Sequence, residues 1–240
     1  MPAHNEQDYL ADATAAVVSG LRTKGDPFEV VICENGSTDA TAQVAAELSE
    51  RYPEVRSLSA PDADYGRALR AGFLASQGTV VANFDVDYID LDFLESALVL
   101  VAAPGGPSVV VASKRAEGAH DHRARNRRLV TSVFALVLRR GFGMRVSDTH
   151  GMKVLRRAEV APLVDACRFG ADLFDTELIL RAERAGVDVA ELPAEVRETR
   201  PPRSSIATRI PRSLAGLVRL RVALWRESAG QRGPSPSPSP

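Results

Sequence analysis

The run Val80-Val81-Ala82-Asn83-Phe84-Asp85-Val86-Asp87 reads as an apolar strand that emerges into solvent on two carboxylates. Two hard oxygen donors so placed suit Mg²⁺ or Mn²⁺ and leave coordination positions open for substrate phosphates. The first expectation is therefore a metal-bridged diphosphate at Asp85 and Asp87. Acidic residues at strand ends also cap helices and solvate turns, so a lone D-x-D does not separate the two readings.

Strand-then-helix wiring repeats on both sides of this run. Residues 28–33 read as a buried strand, 38–52 as a helix capped by Ser37 or Thr38, 55–58 as a strand and 65–76 as a helix. The pattern continues with a strand over 79–84, a helix over 91–101 and a strand over 108–112. Residues 125–140 and 174–185 then read as helices, and 187–192 as a strand stopped by Pro193. Strands that are apolar throughout, separated by amphipathic helices, predict an α/β fold: a Rossmann-like, mainly parallel sheet covered by helices on both faces. Ligands are expected at the carboxyl ends of its strands, where Asp85 and Asp87 sit.

At 240 residues and 45% hydrophobic content, the chain has material for one catalytic domain over 1–205. A helix over 206–229, beginning near Pro211, and a disordered Pro/Ser tail over 230–240 are expected to follow. The net charge of −1 hides a division. Residues 1–100 carry 6 Lys/Arg against 17 Asp/Glu, giving −11, and residues 101–240 carry 24 against 14, giving +10. The basic half suits an anion such as a substrate phosphate or an anionic lipid. Nucleic acid fits less well, because neither zinc-finger spacing nor an aromatic-studded basic strand accompanies the arginines. Cys33 and Cys167 form no disulfide framework, which suits a cytoplasmic setting. The apolar runs at 97–103 and 133–138 fall far short of the ~20 residues of a membrane span.

Four segments in series resemble a family 2 glycosyltransferase of the GT-A fold, closest to the dolichyl- or polyprenyl-phosphate mannose synthases. The resemblance covers roughly residues 1 to 205. Pro2-Ala3-His4-Asn5-Glu6 resembles the P-x-x-N-E loop that borders the nucleotide base, and residues 34–41 resemble the D-D-G-S-x-D-x-T turn. Residues 65–73 resemble G-K-G-x-A-x-x-x-G, and Asp85-Val86-Asp87 resembles the metal motif. The resemblance implies that Pro2, His4, Glu6, Glu34, Asp39, Arg67 and Asp85 border the nucleotide sugar, with Arg125 and Arg128 on the diphosphate and lipid-phosphate side.

Several of these residues have a second physical reading. Asp39 either caps the following helix or lines the ribose pocket, and Gly66 and Arg67 either meet a phosphate or simply open a helix. Glu34 stands where the family has Asp. Where mannose synthases carry Gln, two residues past the motif, this chain has Ile89, and Asp90 either substitutes as a ligand or caps the next helix. Residues 147–153 resemble the acceptor-side D-x-x-S-G-F-K/R segment, which makes Asp148 either an acceptor-side base or a structural cap. Residues 200–205 resemble a basic loop, without its Gly and with Ser205 for Lys, and place Arg203 beside the leaving group. The family also sets an apolar strand of about five residues before P-x-x-N-E. Here Met1 abuts Pro2, and the expectation is a translation start upstream, since a missing central strand leaves strand edges unpaired.

The resemblance implies metal-dependent, inverting transfer of a hexose from a nucleotide-diphosphate sugar. Cation and arginine would stabilise the departing diphosphate, with Asp87, Asp148 and Arg203 as the catalytic set. A polyprenyl phosphate acceptor is already anionic near pH 7 and needs no general base, unlike a sugar hydroxyl. Arg212, Arg219 and Arg226 recur at seven-residue spacing opposite Leu214, Leu217, Leu224 and Trp225. That helix either lies on the inner face of a membrane or packs on the domain or on a second subunit of a homodimer. Two other readings stay open: a soluble phosphorylated or glycan acceptor, and a non-catalytic nucleotide-sugar binder.

Overall fold

The computed structural model describes residues 1–122, 125–170, 173–196 and 206–230. The chain forms two compact units, Met1–Pro201 and Pro202–Pro240. The first unit opens with β1 (Pro2–Ala3), α1 (Leu10–Arg22), β2 (Val30–Asn35), α2 (Thr41–Arg51), β3 (Val55–Ala60) and α3 (Tyr65–Ala75). It continues with β4 (Val80–Asn83), α4 (Leu91–Ala102), β5 (Val109–Ser113), β6 (His120–Asp121) and α5 (Arg125–Phe142). β7 (Lys153–Arg156), α6 (Arg157–Ala166), α7 (Phe174–Arg184), β8 (Val189–Pro193) and β9 (Glu195–Val196) complete it. The second unit holds α8 (Ile206–Gly230).

The expected α/β architecture is present. β1, β2 and β3 pair in parallel, and a second sheet has the order β4-β7-β5-β8, with β5 and β8 parallel and β7 running antiparallel between β4 and β5. Val30, Ile32, Val110 and Val154 sit in one core with Leu10 and Val17 of α1 and Phe93 and Leu94 of α4. Burial on both faces is why the strands read as unbroken apolar runs rather than alternating ones.

Between the two sheets lies a cavity of about 440 Å³, walled by Val31 and Cys33 of β2, Val81 of β4, Leu69 and Phe73 of α3 and Leu98 of α4. The Met1 ammonium is buried, donates to the Val31 carbonyl at 2.9 Å, and is pushed below the ordinary amine range by that burial.

Several boundaries differ from those the sequence predicts. α2 starts at Thr41 because Ser37 and Thr38 are engaged elsewhere: Asn5 N–H donates to Ser37 Oγ at 3.1 Å, and Thr38 N–H donates to Asn5 Oδ1 at 2.8 Å. The antiparallel β7 and the helices α1 and α6 were not anticipated from the sequence. Pro211 lies inside α8 rather than at its start. Among the described residues, no helix is long and apolar enough to cross a membrane.

Candidate active site

The loops that follow β1 and β2 carry the first group of expected residues. Pro2 pairs with Cys33, and His4 Nδ1 lies 2.8 Å from the Asn35 carbonyl. Asn5 adopts a positive φ of 54°. The buried Glu6 sends its N–H to Thr41 Oγ1 at 2.7 Å. Gly36 holds φ +61°, and a Cβ there would stand 2.7 Å from the Pro61 carbonyl oxygen, so only glycine lets this turn close on the segment after β3.

Glu34 and Asp39 are both engaged locally. Glu34 accepts from Ser37 N–H at 2.7 Å and Ser59 Oγ at 2.6 Å. Burial opposes its ionisation, but these donors outweigh it and hold the carboxyl below its ordinary range. Asp39 accepts from Thr41 N–H at 2.9 Å just ahead of α2, whose N-cap is Ala40, while its second oxygen faces Gln7 N–H at 3.4 Å. The exposed Arg67 pairs with Asp62 at 3.0 Å, and Asp64 caps α3 by accepting from Arg67 N–H at 2.9 Å.

The acidic couplet follows β4 in a tight turn. Tyr88 N–H donates to the Asp85 carbonyl at 3.1 Å, Val86 is buried, and Asp87 is exposed at the tip. Asp85 points inward and accepts from the Tyr65 hydroxyl at 2.9 Å. Its pKa is raised chiefly by burial, to which the neighbouring charges of Asp175 and Asp87 add, against the opposing Tyr65 hydrogen bond and Lys153 charge. Asp90 is a helix cap: one oxygen accepts from Phe93 N–H at 2.8 Å and the other from Tyr88 Oη at 3.2 Å. Ile89 packs against the core.

Three partners of this turn come from distant parts of the chain, two of them, Tyr65 and Lys153, from the segments 65–73 and 147–153 that carry the family resemblance. Tyr65 opens α3. Lys153, at the start of β7, is 1% exposed; its Nζ pairs with Asp175 of α7 at 2.7 Å and donates to the Gly151 carbonyl at 2.8 Å. The Phe174-Asp175-Thr176-Glu177 turn is wholly buried despite its three polar residues, and that run inside a helix is the signal that points to them.

No cluster of three or more His, Cys, Asp or Glu among the described residues is arranged to cage a metal ion. Two carboxylates on one turn fit a cation that takes its remaining oxygens from a diphosphate and water, the usual manner of Mg²⁺ and Mn²⁺.

The acceptor-side group is organised around a loop. Ser147 and Asp148 N–H groups donate to Glu191 at 3.0 and 3.1 Å, and Arg145 and Val146 N–H groups to Glu183 at 3.0 and 2.9 Å. Asp148 is buried, pairs with Lys114 Nζ at 3.1 Å and accepts from His150 N–H at 3.1 Å. Burial opposes its ionisation, but Lys114 and the N–H donors prevail and hold it far below the usual carboxylate range. Arg125 and Arg128 stand exposed on the first turn of α5. That helix touches the loop where Phe134 meets His150 edge-on at 5.6 Å. Arg203, with residues 200–205, and the tail from 231 onward lie outside the described residues.

The family profile described as glycosyl transferase family 2 matches residues 1–161. The chain is 28% identical to glycosyltransferase AglD of Haloferax volcanii over 200 residues, covering 81% of this chain and 32% of that protein, so it spans about a third of that relative's length. It is 26% identical to dolichyl-phosphate beta-glucosyltransferase ALG5C of Trichomonas vaginalis over 242 residues, covering 94% of this chain and 72% of the relative. Among solved structures, glucosyl-3-phosphoglycerate synthase of Mycobacterium tuberculosis, in complex with Mn²⁺, UDP and glucosyl-3-phosphoglycerate, superposes with a TM-score of 0.62 at 19% identity. That match covers 98% of this chain and 79% of the synthase, and it places the chain in the GT-A fold.

Proposed function

The chain belongs to glycosyl transferase family 2, and from that premise we propose that it transfers glucose from UDP-glucose to a polyprenyl phosphate, with inversion at the anomeric carbon. The observation that carries this reading is the turn after β4, which anchors Asp85 through Tyr65 and presents Asp87 to solvent at the sheet's carboxyl edge. A divalent cation bound there would supply charge stabilisation to the departing diphosphate. Asp85 and Asp87 would hold it, and Arg67, Arg125, Arg128 and Arg203 are proposed to bind the phosphates.

A phosphate acceptor agrees with Asp148, whose oxygens are taken by Lys114 and backbone N–H groups: a nucleophile that is already anionic requires no base. Glucose and a lipid phosphate are the substrates named for the dolichyl-phosphate relatives. A soluble phosphorylated acceptor is the second reading, favoured by the structural likeness to glucosyl-3-phosphoglycerate synthase.

The test is incubation of labelled UDP-glucose and Mn²⁺ with polyprenyl phosphate or 3-phosphoglycerate, followed by organic extraction. The lipid reading expects label in the organic phase that disappears in Asp87→Asn. A labelled aqueous product that is resolved from UDP-glucose and forms only when 3-phosphoglycerate is supplied selects the soluble acceptor.

A further inference from the structure

We propose that Tyr65 is a positioning residue for the cation site: by holding one oxygen of Asp85 it fixes that carboxylate and leaves the other oxygen for the metal. The inference rests on the reading of Asp85 and Asp87 as cation ligands. The Tyr65 hydroxyl donates to Asp85 Oδ1 at 2.9 Å, and among the described residues the Asp85 side chain takes no other hydrogen bond. The turn's own bond, from Tyr88 N–H to the Asp85 carbonyl, holds the backbone and does not by itself set the side-chain torsions of Asp85. A donor on Oδ1 sets them.

Tyr65 can serve as an anchor because its own place is fixed. It is the first residue of α3, directly after the cap Asp64, which accepts from Arg67 N–H at 2.9 Å. A Cβ on Gly66 would stand 2.8 Å from the Gly170 backbone and from Phe174 Cβ, and one on Gly170 would run into the Asp64 carboxylate. Approaches this close wedge the start of α3 against residue 170 and the first residue of α7. Two turns further along, Phe73 stacks on Phe174 with 6.2 Å between ring centroids. Carboxylates that bind a metal depend on such outer hydrogen bonds, whose loss typically costs about 10–100-fold in metal affinity. Phenylalanine fills the same space without the donor, so Tyr65→Phe isolates the hydroxyl.

Mn²⁺ binding to the full chain in the presence of UDP is followed by loss of the free-ion electron paramagnetic resonance signal, and UDP binding without metal by calorimetry. Tyr65→Phe is expected to fold as the wild type does, to weaken Mn²⁺ binding by about tenfold and to leave metal-free UDP affinity within about twofold. Added to Asp85→Ala it is expected to weaken Mn²⁺ no further, because its effect passes through that carboxylate. Tyr52→Phe, which alters a ring packed against Arg22 and Arg51, is expected to change neither affinity. In transfer assays Tyr65→Phe is expected to need more Mn²⁺ and to regain a near-wild-type rate once the metal is saturating.

Wild-type Mn²⁺ affinity in Tyr65→Phe overturns the inference. So does an equal loss of metal-free UDP binding, or a further loss of Mn²⁺ when Tyr65→Phe is added to Asp85→Ala, since either marks a general structural role. A wild type that binds no Mn²⁺ sinks the cation reading itself, whereas wild-type Mn²⁺ binding that Tyr65→Phe leaves unchanged sinks this inference alone.

Discussion

Replacing Asp175 by alanine removes one half of the ion pair that lies deepest beneath the acidic couplet. Lys153 Nζ and Asp175 Oδ1 are 2.7 Å apart, and the side chains are 1% and 5% exposed. At an effective dielectric of about 20, two unit charges at that 2.7 Å separation attract by roughly 6 kcal/mol. Desolvation cancels much of this in the intact pair, whereas deleting one partner leaves the other charge buried, with a usual cost of about 3–5 kcal/mol. The Gly151 carbonyl, 2.8 Å from Nζ, stays as a partner for the ammonium, so the lower end of that range applies. Asp175→Ala should therefore lose about 3 kcal/mol in urea denaturation and about 10 °C in melting temperature. Lys153→Met/Asp175→Leu, which removes both charges, should recover most of the loss. A loss below about 1 kcal/mol in the single variant, or a double variant as unstable as the single, would refute the idea that this pair fixes the floor of the site.

Asp148 gives a pH-dependent stability. Its folded pKa is depressed, so the stability it contributes is full above its unfolded pKa of about 3.9 and is lost as pH falls through the lower folded value. Lys114→Met should destabilise the protein by about 2 kcal/mol at pH 7. The gap to wild type should narrow at pH 3 in parallel urea titrations as Asp148 begins to take up its proton. Gly36→Ala should cost about 2 kcal/mol and weaken nucleotide binding, because its φ is +61° and the added methyl meets the Pro61–Ala63 backbone; thermal melts with and without UDP check both effects. Asp90→Ala should lose about 1 kcal/mol with no change in Mn²⁺ affinity, as befits a cap; weaker metal binding would restore it as a ligand.

The strands and most helices were legible because buried parallel strands leave unbroken apolar runs, and the turn carrying Asp85 and Asp87 stands where the alternation places it. Other features left weaker marks. α1 does carry the helical period, with Leu10, Ala13, Thr14, Val17 and Val18 buried on one side. β7 was missed because it opens on Lys153, whose burial depends on Asp175, a residue 22 positions away. Ser37 and Thr38 have the chemistry of caps, and only the fold shows that Asn5 engages them instead. Tyr65, Lys153 and Asp175 could not be read as neighbours of Asp85, because a sequence does not say which loops meet.

Calorimetric titration of UDP, with and without Mn²⁺, tests the central claim most directly. UDP should bind the wild type at least about tenfold more tightly with the metal, and Asp85→Asn/Asp87→Asn should abolish that difference while keeping its fold. Equal UDP affinity with and without Mn²⁺ in the wild type, or an undiminished metal effect in the double variant, would contradict it.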